Sequence, residues 1–268
     1  MRTIARYLSR ETVETLLAVI GVLATLMGIA QALNPDIFSR FPGYTLLCLI
    51  LSVLLITYLI IKPKKILEFC LNDGRHKVTI EIGDVFNTNT FVVTADQAYS
   101  SDLSSVGNES LIGQAKNSLP NFDSKLSTSI NMINAGSNHY EPGTVIELDI
   151  DELNADNKRV LILACGSPSA DGTETNWTDL SKSLVGLWSY IRSKNISEIS
   201  VPVIGSGFSG TRLSHSSLLQ LILFSYYSSY SDRPVVKHLR IVVHKEDYDW
   251  DAWLRASRLL SGLGMKKL

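Results

Sequence analysis

Two apolar segments near the start of the chain constrain its fold most strongly. Residues 15–33 (TLLAVIGVLATLMGIAQAL) and residues 41–61 (FPGYTLLCLILSVLLITYLII) contain no charged side chain. As a helix, a run of about 20 residues is about 30 Å long, which matches the hydrocarbon thickness of a bilayer. A soluble core seldom holds two adjacent helices that are apolar all round, and the first run is longer than the core of a signal peptide. We therefore predict a transmembrane hairpin, with helices over about 13–33 and 41–61.

Basic residues at the ends of this hairpin predict its orientation. Six of them flank the two apolar runs on the same side: Arg2, Arg6, Arg10, Lys62, Lys64 and Lys65. The short connection, residues 34–40, carries one Arg and one Asp. The positive-inside rule then places both termini in the cytoplasm. We expect a multi-pass protein of the cell membrane, in which residues 1–65 form an anchor and residues 66–268 a cytosolic domain.

The charge of the predicted cytosolic domain argues against nucleic acid as a partner. Residues 1–65 carry seven Lys or Arg and three Asp or Glu, so the remaining residues carry a net −5 within a whole-chain charge of −1. General nucleic-acid binding needs a basic surface. The three cysteines, Cys48, Cys70 and Cys165, form no CxxC pair, so we predict neither a disulfide framework nor a zinc site.

After the hairpin, the hydrophobic pattern alternates between strands and helices. Strands are predicted over 77–83, 90–95, 143–150, 159–165, 198–204 and 238–244, and helices over 122–134, 176–195, 214–229 and 248–260. The helix over 176–195 is the clearest, with one continuous apolar face: Leu180, Leu184, Leu187, Trp188 and Ile191. Residues 62–76 are expected to form a short basic connection. This alternation favours an α/β sandwich with a mostly parallel or mixed sheet.

The polar segments that follow the predicted strands are the candidate binding elements, because ligands in open α/β sheets bind beyond the carboxyl ends of the strands. Asp84, in GDVF, can accept a hydrogen bond from an exocyclic amine such as that of adenine, although Gly-Asp also suits a plain surface turn. Residues 94–115 read as a long polar loop. Within it, Ser110 and Gly113 of SLIG can line a phosphate or ribose pocket with backbone amides, and a surface excursion is the alternative.

The segment GSGFSG, residues 205–210, is the third candidate. Gly205, Gly207 and Gly210 have the GxGxxG spacing, but no acidic ribose-binding residue can be assigned downstream. A buried strand before these glycines and a helix after them favour an anion-binding turn, often for phosphate, over a simple connection. Arg212 can add positive charge to a diphosphate contact.

The residues usual in catalysis do not form a recognisable arrangement. The five histidines have no paired metal-ligand spacing, and neither GxSxG nor a useful Cys–His arrangement occurs. We therefore expect a protein that is not an enzyme, with no catalytic residue, no metal and no cofactor.

In their order along the chain, these segments resemble those of a macro domain, the ADP-ribose-binding three-layer α/β/α fold with a mixed sheet. IEIGDVF is similar to its first binding element, in which the aspartate, here Asp84 beside Val85, contacts adenine. SLIG, which is Ser110, Leu111, Ile112 and Gly113, takes the place of the first glycine-rich loop. IGSGFSG is similar to the second phosphate-binding loop, and this resemblance assigns it the following residues: Gly205, Ser206, Gly207, Phe208, Ser209, Gly210 and Arg212.

One strand end differs from the usual macro domain. These domains usually carry an asparagine there, which contacts the distal ribose and supports hydrolysis, whereas this chain has Asp96 and Gln97 in TADQ. The resemblance therefore implies that Asp96 and Gln97 contribute to the binding site. The difference, together with SLIG in place of a run of glycines, favours ligand binding over ADP-ribosyl hydrolysis.

The hairpin, GDVFN, NESLIGQA, EPGTVIELDI, TDLSKSLVGLWSYIR and VPVIGSGFSGTRLS together resemble the membrane-anchored ThsA effectors of type II Thoeris antiphage defence. The resemblance implies a nucleotide sensor of the bacterial inner membrane. A TIR-domain partner would make an ADP-ribose derivative, and its binding would drive homo-oligomerisation and membrane disruption. The alternatives are a membrane-tethered ADP-ribosyl hydrolase and a passive reader of ADP-ribosylated partners.

Overall fold

The structure is a computed structural model of the 268-residue chain. It describes residues 21, 66–71, 74–99, 107–108, 110–133, 139–150, 158–169, 172–206, 211, 213–229 and 235–268. The chain divides into two units, Met1–Lys64 and Lys65–Leu268, and Gly21 is the one described residue of the first. Apart from Gly21, the predicted hairpin therefore lies outside the described residues. Among the residues described, no helix has both the length and the apolar composition needed to cross a bilayer.

The second unit contains nine described strands and five described α-helices. The strands are β1 (Ile66–Cys70), β2 (Lys77–Ile82), β3 (Thr90–Asp96), β4 (Val145–Ile150), β5 (Lys158–Ser169), β6 (Gly172–Glu174), β7 (Glu198–Pro202), β8 (His238–Val243) and β9 (Lys266–Lys267). The helices are α1 (Leu111–Ser118), α2 (Phe122–Ile133), α3 (Trp177–Ser193), α4 (His215–Ser228) and α5 (Trp250–Gly262).

The strands form one mixed sheet in the order β4-β5-β3-β7-β8-β2-β1-β9, and β6 pairs with the end of β5. The five central strands from β5 to β2 are parallel, whereas β4, β1 and β9 pair antiparallel with their neighbours. The mixed α/β sheet predicted from the sequence is therefore confirmed.

Alternation along the strands produces a buried core on each face of the sheet. In β5, Leu161 and Leu163 pack in a core with residues of α3, α4 and α5. Val160 and Ile162 face the other way and pack in a core with α1 and α2. Successive strand residues point to opposite faces, so a continuous apolar run such as RVLILAC indicates a strand covered on both sides.

Two segments differ from the sequence-based expectation. Residues 66–70 form strand β1, so the basic connection predicted over 62–76 is wrong for these residues. Residues 111–118 form helix α1, so the long loop predicted over 94–115 ends at Ser110. Within β1, Ile66 pairs with Glu81, and the strand therefore begins beside the carboxyl end of β2.

Candidate ligand-binding site

The carboxyl ends of the five parallel strands form one edge of the sheet, here named the ligand edge. From one side to the other, β2 ends at Ile82, β8 at Val243, β7 at Pro202 and β3 at Asp96, and β5 runs past them to Ser169. Each predicted binding segment follows one of these strands or opens the helix after it. The structure thus brings the described predicted residues to a single edge, where α/β sheets bind ligands.

Asp84 follows β2 and caps a short 3-10 helix, Val85–Asn87. Its Oδ1 accepts a hydrogen bond from the Phe86 N–H at 3.0 Å, and the side chain is exposed. Val85 and Phe86 are buried beneath it, and the Phe86 ring meets Phe91 edge-to-face at 5.4 Å. The short helix therefore holds the Asp84 carboxylate in a fixed position at the surface of the ligand edge.

Ser110 and Gly113 open helix α1 with a side-chain cap. The Ser110 hydroxyl accepts from the Gly113 N–H at 3.1 Å and donates to the Gly107 carbonyl at 2.7 Å. The Ser110 N–H also donates to Gly107. The Ser110 and Gly113 amides, which the sequence offered as possible ligand donors, are therefore both used within the cap. Among the described residues, the N–H groups of Leu111 and Ile112 have no such acceptor, and they are the first donors of α1.

The first turn of α1 lies very close to the loop before it. A Cβ atom at position 113 would lie 2.4 Å from the Gly107 carbonyl oxygen and 3.0 Å from the Ser110 hydroxyl. Heavy atoms at these separations overlap, so glycine is needed at position 113 for this loop to close over the start of the helix.

Asp96 and Gln97 end β3 and are almost completely buried. Asp96 is 8% exposed and Gln97 is 3% exposed. The Asp96 Oδ1 accepts from the Ala98 N–H at 2.9 Å, and the Gln97 N–H donates to Gly166 of β5 at 2.7 Å. The Gln97 backbone bond fastens the end of β3 to β5, and the Asp96 carboxylate stabilises the turn that follows the strand.

Gly205 and Ser206 form a tight turn after β7. The Val203 carbonyl accepts from both the Ser206 N–H and the Ser206 hydroxyl, at 3.2 and 2.8 Å. Gly205 has φ of 90° and its carbonyl accepts from the Thr211 hydroxyl. A positive φ at the third position of such a turn favours glycine. The predicted ligand residues Gly207, Phe208, Ser209, Gly210 and Arg212 lie outside the described residues.

The segment after β8 also lies at the ligand edge, and the sequence analysis did not include it. β8 lies between β7 and β2, so this segment separates the Gly205 turn from Asp84. Asp247 lies 3.6 Å from His215 at the start of α4. Tyr248 is half-buried and its ring meets Trp253 edge-to-face at 5.5 Å. The rule applied to the other strand ends would have identified HKEDY as well, because the predicted strand over 238–244 stops there.

A second missed element is the extension of β5. Pairing between β3 and β5 ends at Asp96 and Gly166, but β5 continues and Ser167–Ser169 pair with β6. This hairpin projects past the ligand edge next to β3. Its strands are only three residues long there, which is too short for a periodic pattern to identify.

Cys165 lies under this edge but does not have the environment of a nucleophile. It is 3% exposed, and burial raises the pKa of its thiol to about 12, against a smaller lowering by the Ser183 hydroxyl. The thiol therefore stays protonated at neutral pH. In the part of the chain that the structure describes, no group of three or more His, Cys, Asp or Glu side chains could hold a metal ion.

Comparison with solved structures shows the fold class. The Oceanobacillus iheyensis macrodomain with ADP has a TM-score of 0.55 and 17% identity, over 74% of this chain and 96% of that one. Its N30A mutant has a TM-score of 0.56 and 17% identity, over 74% and 94%. Thermosipho africanus DarTG in complex with ADP-ribose has a TM-score of 0.51 and 16% identity, over 72% and 47%. The second unit therefore has the macro-domain fold.

Comparison with protein families gives a narrower assignment. Residues 78–244, more than half of the chain, match the family described as Thoeris protein ThsA, Macro domain. The chain therefore belongs to this family, and the resemblance noted in its sequence is confirmed. A search of the curated proteins found no match.

Proposed function

We propose that this protein is a membrane effector of antiphage defence that senses an ADP-ribose derivative. The macro domain binds a nucleotide signal made by a TIR-domain enzyme, the protein then assembles into homo-oligomers, and the assembly disrupts the bacterial inner membrane. The macro domain acts in this scheme as a sensor, not as an enzyme. The observation that carries the proposal is the convergence of Asp84, the start of α1 and the Gly205 turn on one edge of a ThsA-family macro domain.

The dimensions of the ligand edge support a dinucleotide-like ligand. Neighbouring strands are about 4.8 Å apart, so the four gaps from β2 to β5 span about 19 Å. Asp84 lies at the β2 end and can accept from an adenine amine. The Gly205 turn and the start of α1 lie nearer the middle, where backbone donors suit a diphosphate. An adenine, a diphosphate and a distal ribose thus fit the edge in that order.

The named ligands of the similar structures support the same ligand class. Their titles describe macrodomains with ADP, with ADPR and in complex with ADP-ribose. Those proteins share the fold of this chain, and the residues at its ligand edge are suited to the same chemistry. The residues near β3 and β5 then determine which distal group the site accepts.

The proposed role of Asp96 and Gln97 is structural support of the site. Both side chains are almost completely buried, and an Asp96 oxygen already accepts a backbone hydrogen bond. A hydrolase would need a group there that activates water near the distal ribose. Buried support residues favour binding over hydrolysis, and release of free ADP-ribose from a labelled ADP-ribosylated protein tests the alternative directly.

The proposed membrane output uses the hairpin over residues 13–61. Two helices cannot enclose a pore by themselves, so an effect through the bilayer requires several copies of the chain. A ligand drives such assembly only if it binds the assembled state more tightly than the dispersed state. The chain enters the macro domain at Ile66, which pairs with Glu81 close to Asp84. The ligand edge and the start of the domain are therefore neighbours.

The test uses the full chain in detergent micelles. ADP, ADP-ribose, NAD and the product mixture of a TIR-domain enzyme are titrated, and heat and molecular mass are recorded. We expect binding of ADP-ribose-type ligands at micromolar concentration, and an increase in mass with the TIR product. If none of these ligands binds, the proposal that the macro domain is a sensor is refuted.

A pair of substitutions at Asp84 tests where the ligand binds. Asp84→Asn keeps an acceptor for the Phe86 N–H, whereas Asp84→Ala removes the cap as well. If the Asp84 carboxylate contacts adenine, we expect ADP to bind at least tenfold more weakly to both variants, because a hydrogen bond to a charged group contributes about 1.5–3 kcal/mol. If Asn restores wild-type affinity, Asp84 acts only as a helix cap.

A further inference from the structure

Helix α4 turns an uncharged face towards solvent. Residues 213–231 contain no Lys, Arg, Asp or Glu, whereas each of the other described α-helices carries at least one charged residue. A helix packed on a core normally directs charged and polar side chains outward. The positions of α4 that are exposed or half-buried on its outer side are instead all uncharged: Ser217, Gln220, Leu221, Phe224, Tyr227 and Ser228.

Phe224 is the most exposed large side chain of this helix. It follows Ile222 by two residues, which at 3.6 residues per turn is about 200° around the helix. Ile222 is 1% exposed in the core, whereas Phe224 is 57% exposed. The ring of Phe224 therefore points directly away from the core. A single exposed apolar residue needs no explanation, so its neighbours decide whether it belongs to a larger surface.

Helix α3 extends the apolar surface around Phe224. Both helices connect parallel strands, β5 to β7 and β7 to β8, so they run in the same direction. The Trp188 Nε1 donates to the Ser225 hydroxyl at 3.0 Å, which joins them. Val185 and Leu221 lie one turn before these two residues and are therefore neighbours. Val185 is 62% exposed. The surface formed in this way, here named the α4 patch, comprises Val185, Leu221, Phe224 and Tyr227.

The composition of the α4 patch is that of the centre of a protein interface. Such centres are poor in charged residues and rich in aromatic ones, and they have a polar rim. Lys182 and Ser189 flank Val185 on α3 and are exposed, which suits a rim. Nucleic acids and anionic lipid surfaces bind clusters of Lys and Arg, and the patch has none. Its partner must therefore be a protein surface without charge at its centre.

The charge of the domain favours a second copy of this chain as that partner. Residues 66–268 carry a net charge of −5, so two copies repel each other in most orientations. Contact through the α4 patch brings no like charges together at its centre. A contact related by a two-fold axis joins the same surface of both copies. The Phe224 rings of the two copies then lie near the axis, where aromatic pairs add to the apolar contact.

The size of this surface indicates a conditional contact. α4 has 14 residues and is about 21 Å long, and two packed helices are about 20 Å wide, so the surface offers about 420 Å² on each copy. Stable complexes bury about 800 Å² per partner. The contact is therefore too small for a permanent dimer in solution. It suits copies that are concentrated by a common membrane and a ligand that favours the assembled state.

The same helix connects the α4 patch to the ligand edge. α4 begins at His215, in the segment that follows the Gly205 turn, and His215 lies 3.6 Å from Asp247 at that edge. Phe224 is nine residues further along, which is about 13 Å at 1.5 Å per residue. Contacts of a ligand at the turn and contacts between copies thus act on one helix.

We propose that the α4 patch is the contact between two copies of this chain during ligand-driven assembly. This inference rests on the proposed function, which requires assembly but assigns no surface to it. The contact is two-fold, with Phe224 at its centre. Larger assemblies are then built from these pairs of copies.

Phe224→Glu tests the contact, because it places two like charges near the axis. The molecular mass of the full chain in detergent micelles is followed as the product mixture of a TIR-domain enzyme is added. The variant is expected to need at least tenfold more protein to gain mass, as for loss of a central interface residue. Its affinity for ADP-ribose should stay within twofold of the wild type, which shows that it is folded. Ser127→Glu is the matched control, since Ser127 is exposed on α2, across the sheet, and this variant should assemble normally.

Phe224→Lys makes the test specific for a two-fold contact. Alone, it should fail to assemble as Phe224→Glu does, but an equimolar mixture pairs opposite charges and should regain the mass increase. Misfolded variants would not recover on mixing. Normal assembly of either variant alone, or a mixture that stays dispersed, overturns the contact and leaves the proposed function standing. A wild type that binds ADP-ribose but gains no mass with the TIR product refutes the proposed assembly step together with the contact.

Discussion

At the scale of single residues, the ligand edge depends on positions where backbone approaches backbone. The loop before α1 lies against Gly113 at a distance that leaves no room for a Cβ atom, and Ser110 closes the same turn with its hydroxyl. The N–H groups of Leu111 and Ile112 are oriented by this turn. Small changes at Gly113 should therefore affect ligand binding more than they affect the fold.

Gly113→Ala is expected to weaken ADP-ribose binding at least tenfold. The added methyl group would overlap the Gly107 carbonyl oxygen at 2.4 Å, and the loop must shift to relieve the contact. Gly262→Ala is the control, because nothing lies within 4 Å of its Cβ position and it is the last residue of α5. Calorimetric titration of both variants tests this, and equal affinities would show that the start of α1 does not contact the ligand.

A second residue-scale prediction concerns His238, at the opposite edge of the sheet. Burial and then the Arg240 charge lower its pKa from the ordinary value of 6.5, and its Nε2 lies 2.8 Å from the buried Thr79 hydroxyl. The unfolded chain therefore binds more protons than the folded one just below pH 6.5. The contribution of neutral His238 to the free energy of unfolding is fully present above that pH, and it is lost as the pH falls through the lowered pKa of the folded state.

Thermal unfolding from about pH 7.5 to about pH 5, the range in which histidine titrates, measures this effect. His238→Gln retains a partner for Thr79 but does not titrate. The wild type should lose more stability than this variant as the pH falls below 6.5. Besides Arg240, three further charged groups, those of Glu68, Lys77 and Glu198, act on His238. Parallel pH profiles in the two proteins would exclude His238 as the cause.

At the scale of secondary-structure elements, the position of helix α3 depends on a close contact between Gly186 of the helix and Gly143, which precedes β4. A Cβ at Gly186 would lie 2.4 Å from the Gly143 carbonyl oxygen and 2.6 Å from its Cα. This close approach, with the Ser183 hydroxyl on the Ala164 carbonyl, fixes the helix along β5. These contacts also determine where Trp177, the first residue of α3, lies relative to the carboxyl end of β5.

Gly186→Ala is therefore expected to destabilise the domain by about 1–3 kcal/mol, the usual cost of overpacking a buried contact. Urea unfolding of the full chain, followed through tryptophan fluorescence, measures it. Val185→Ala is the control, because Val185 is 62% exposed on the same helix, and surface changes usually stay within about 0.5 kcal/mol. Similar midpoints in the two variants would show that α3 moves to accommodate the methyl group.

At the scale of the whole molecule, the proposed output depends on the hairpin. Leu54 lies inside the second apolar run. Leu54→Arg is expected to prevent insertion of that helix, since arginine near a helix centre costs about 2.5–3.5 kcal/mol on an insertion scale. The variant should leave the carbonate-resistant membrane fraction and lose its toxicity in cells that make the signal. Leu54→Ala should retain both properties. An Arg variant that stays in the membrane and remains toxic would contradict the predicted span.

Hydrophobic periodicity in the sequence predicts those strands and helices whose buried residues recur at regular spacing. The strands over 77–82 and 238–243 and the helix over 177–193 were predicted within two residues of their ends. β1 was missed because five residues after a basic segment carry no clear pattern. β6 and β9 have three and two residues, and their pairing depends on distant partners. α1 was interpreted as a loop because Gly113 lies in its first turn.

The sequence by itself determined which residues alternate, where the strands end and which family the motifs resemble, because hydrophobic periodicity and turn chemistry are local properties. Only the tertiary structure decided the order of strands along the ligand edge, since strands distant in sequence become neighbours through pairing. It also decided the exposure of Trp177. The helical pattern places this residue on the buried face. However, Ser183 already lies near the end of the β3–β5 pairing, so the first turn of the helix extends beyond those paired residues and the Trp177 side chain is 57% exposed.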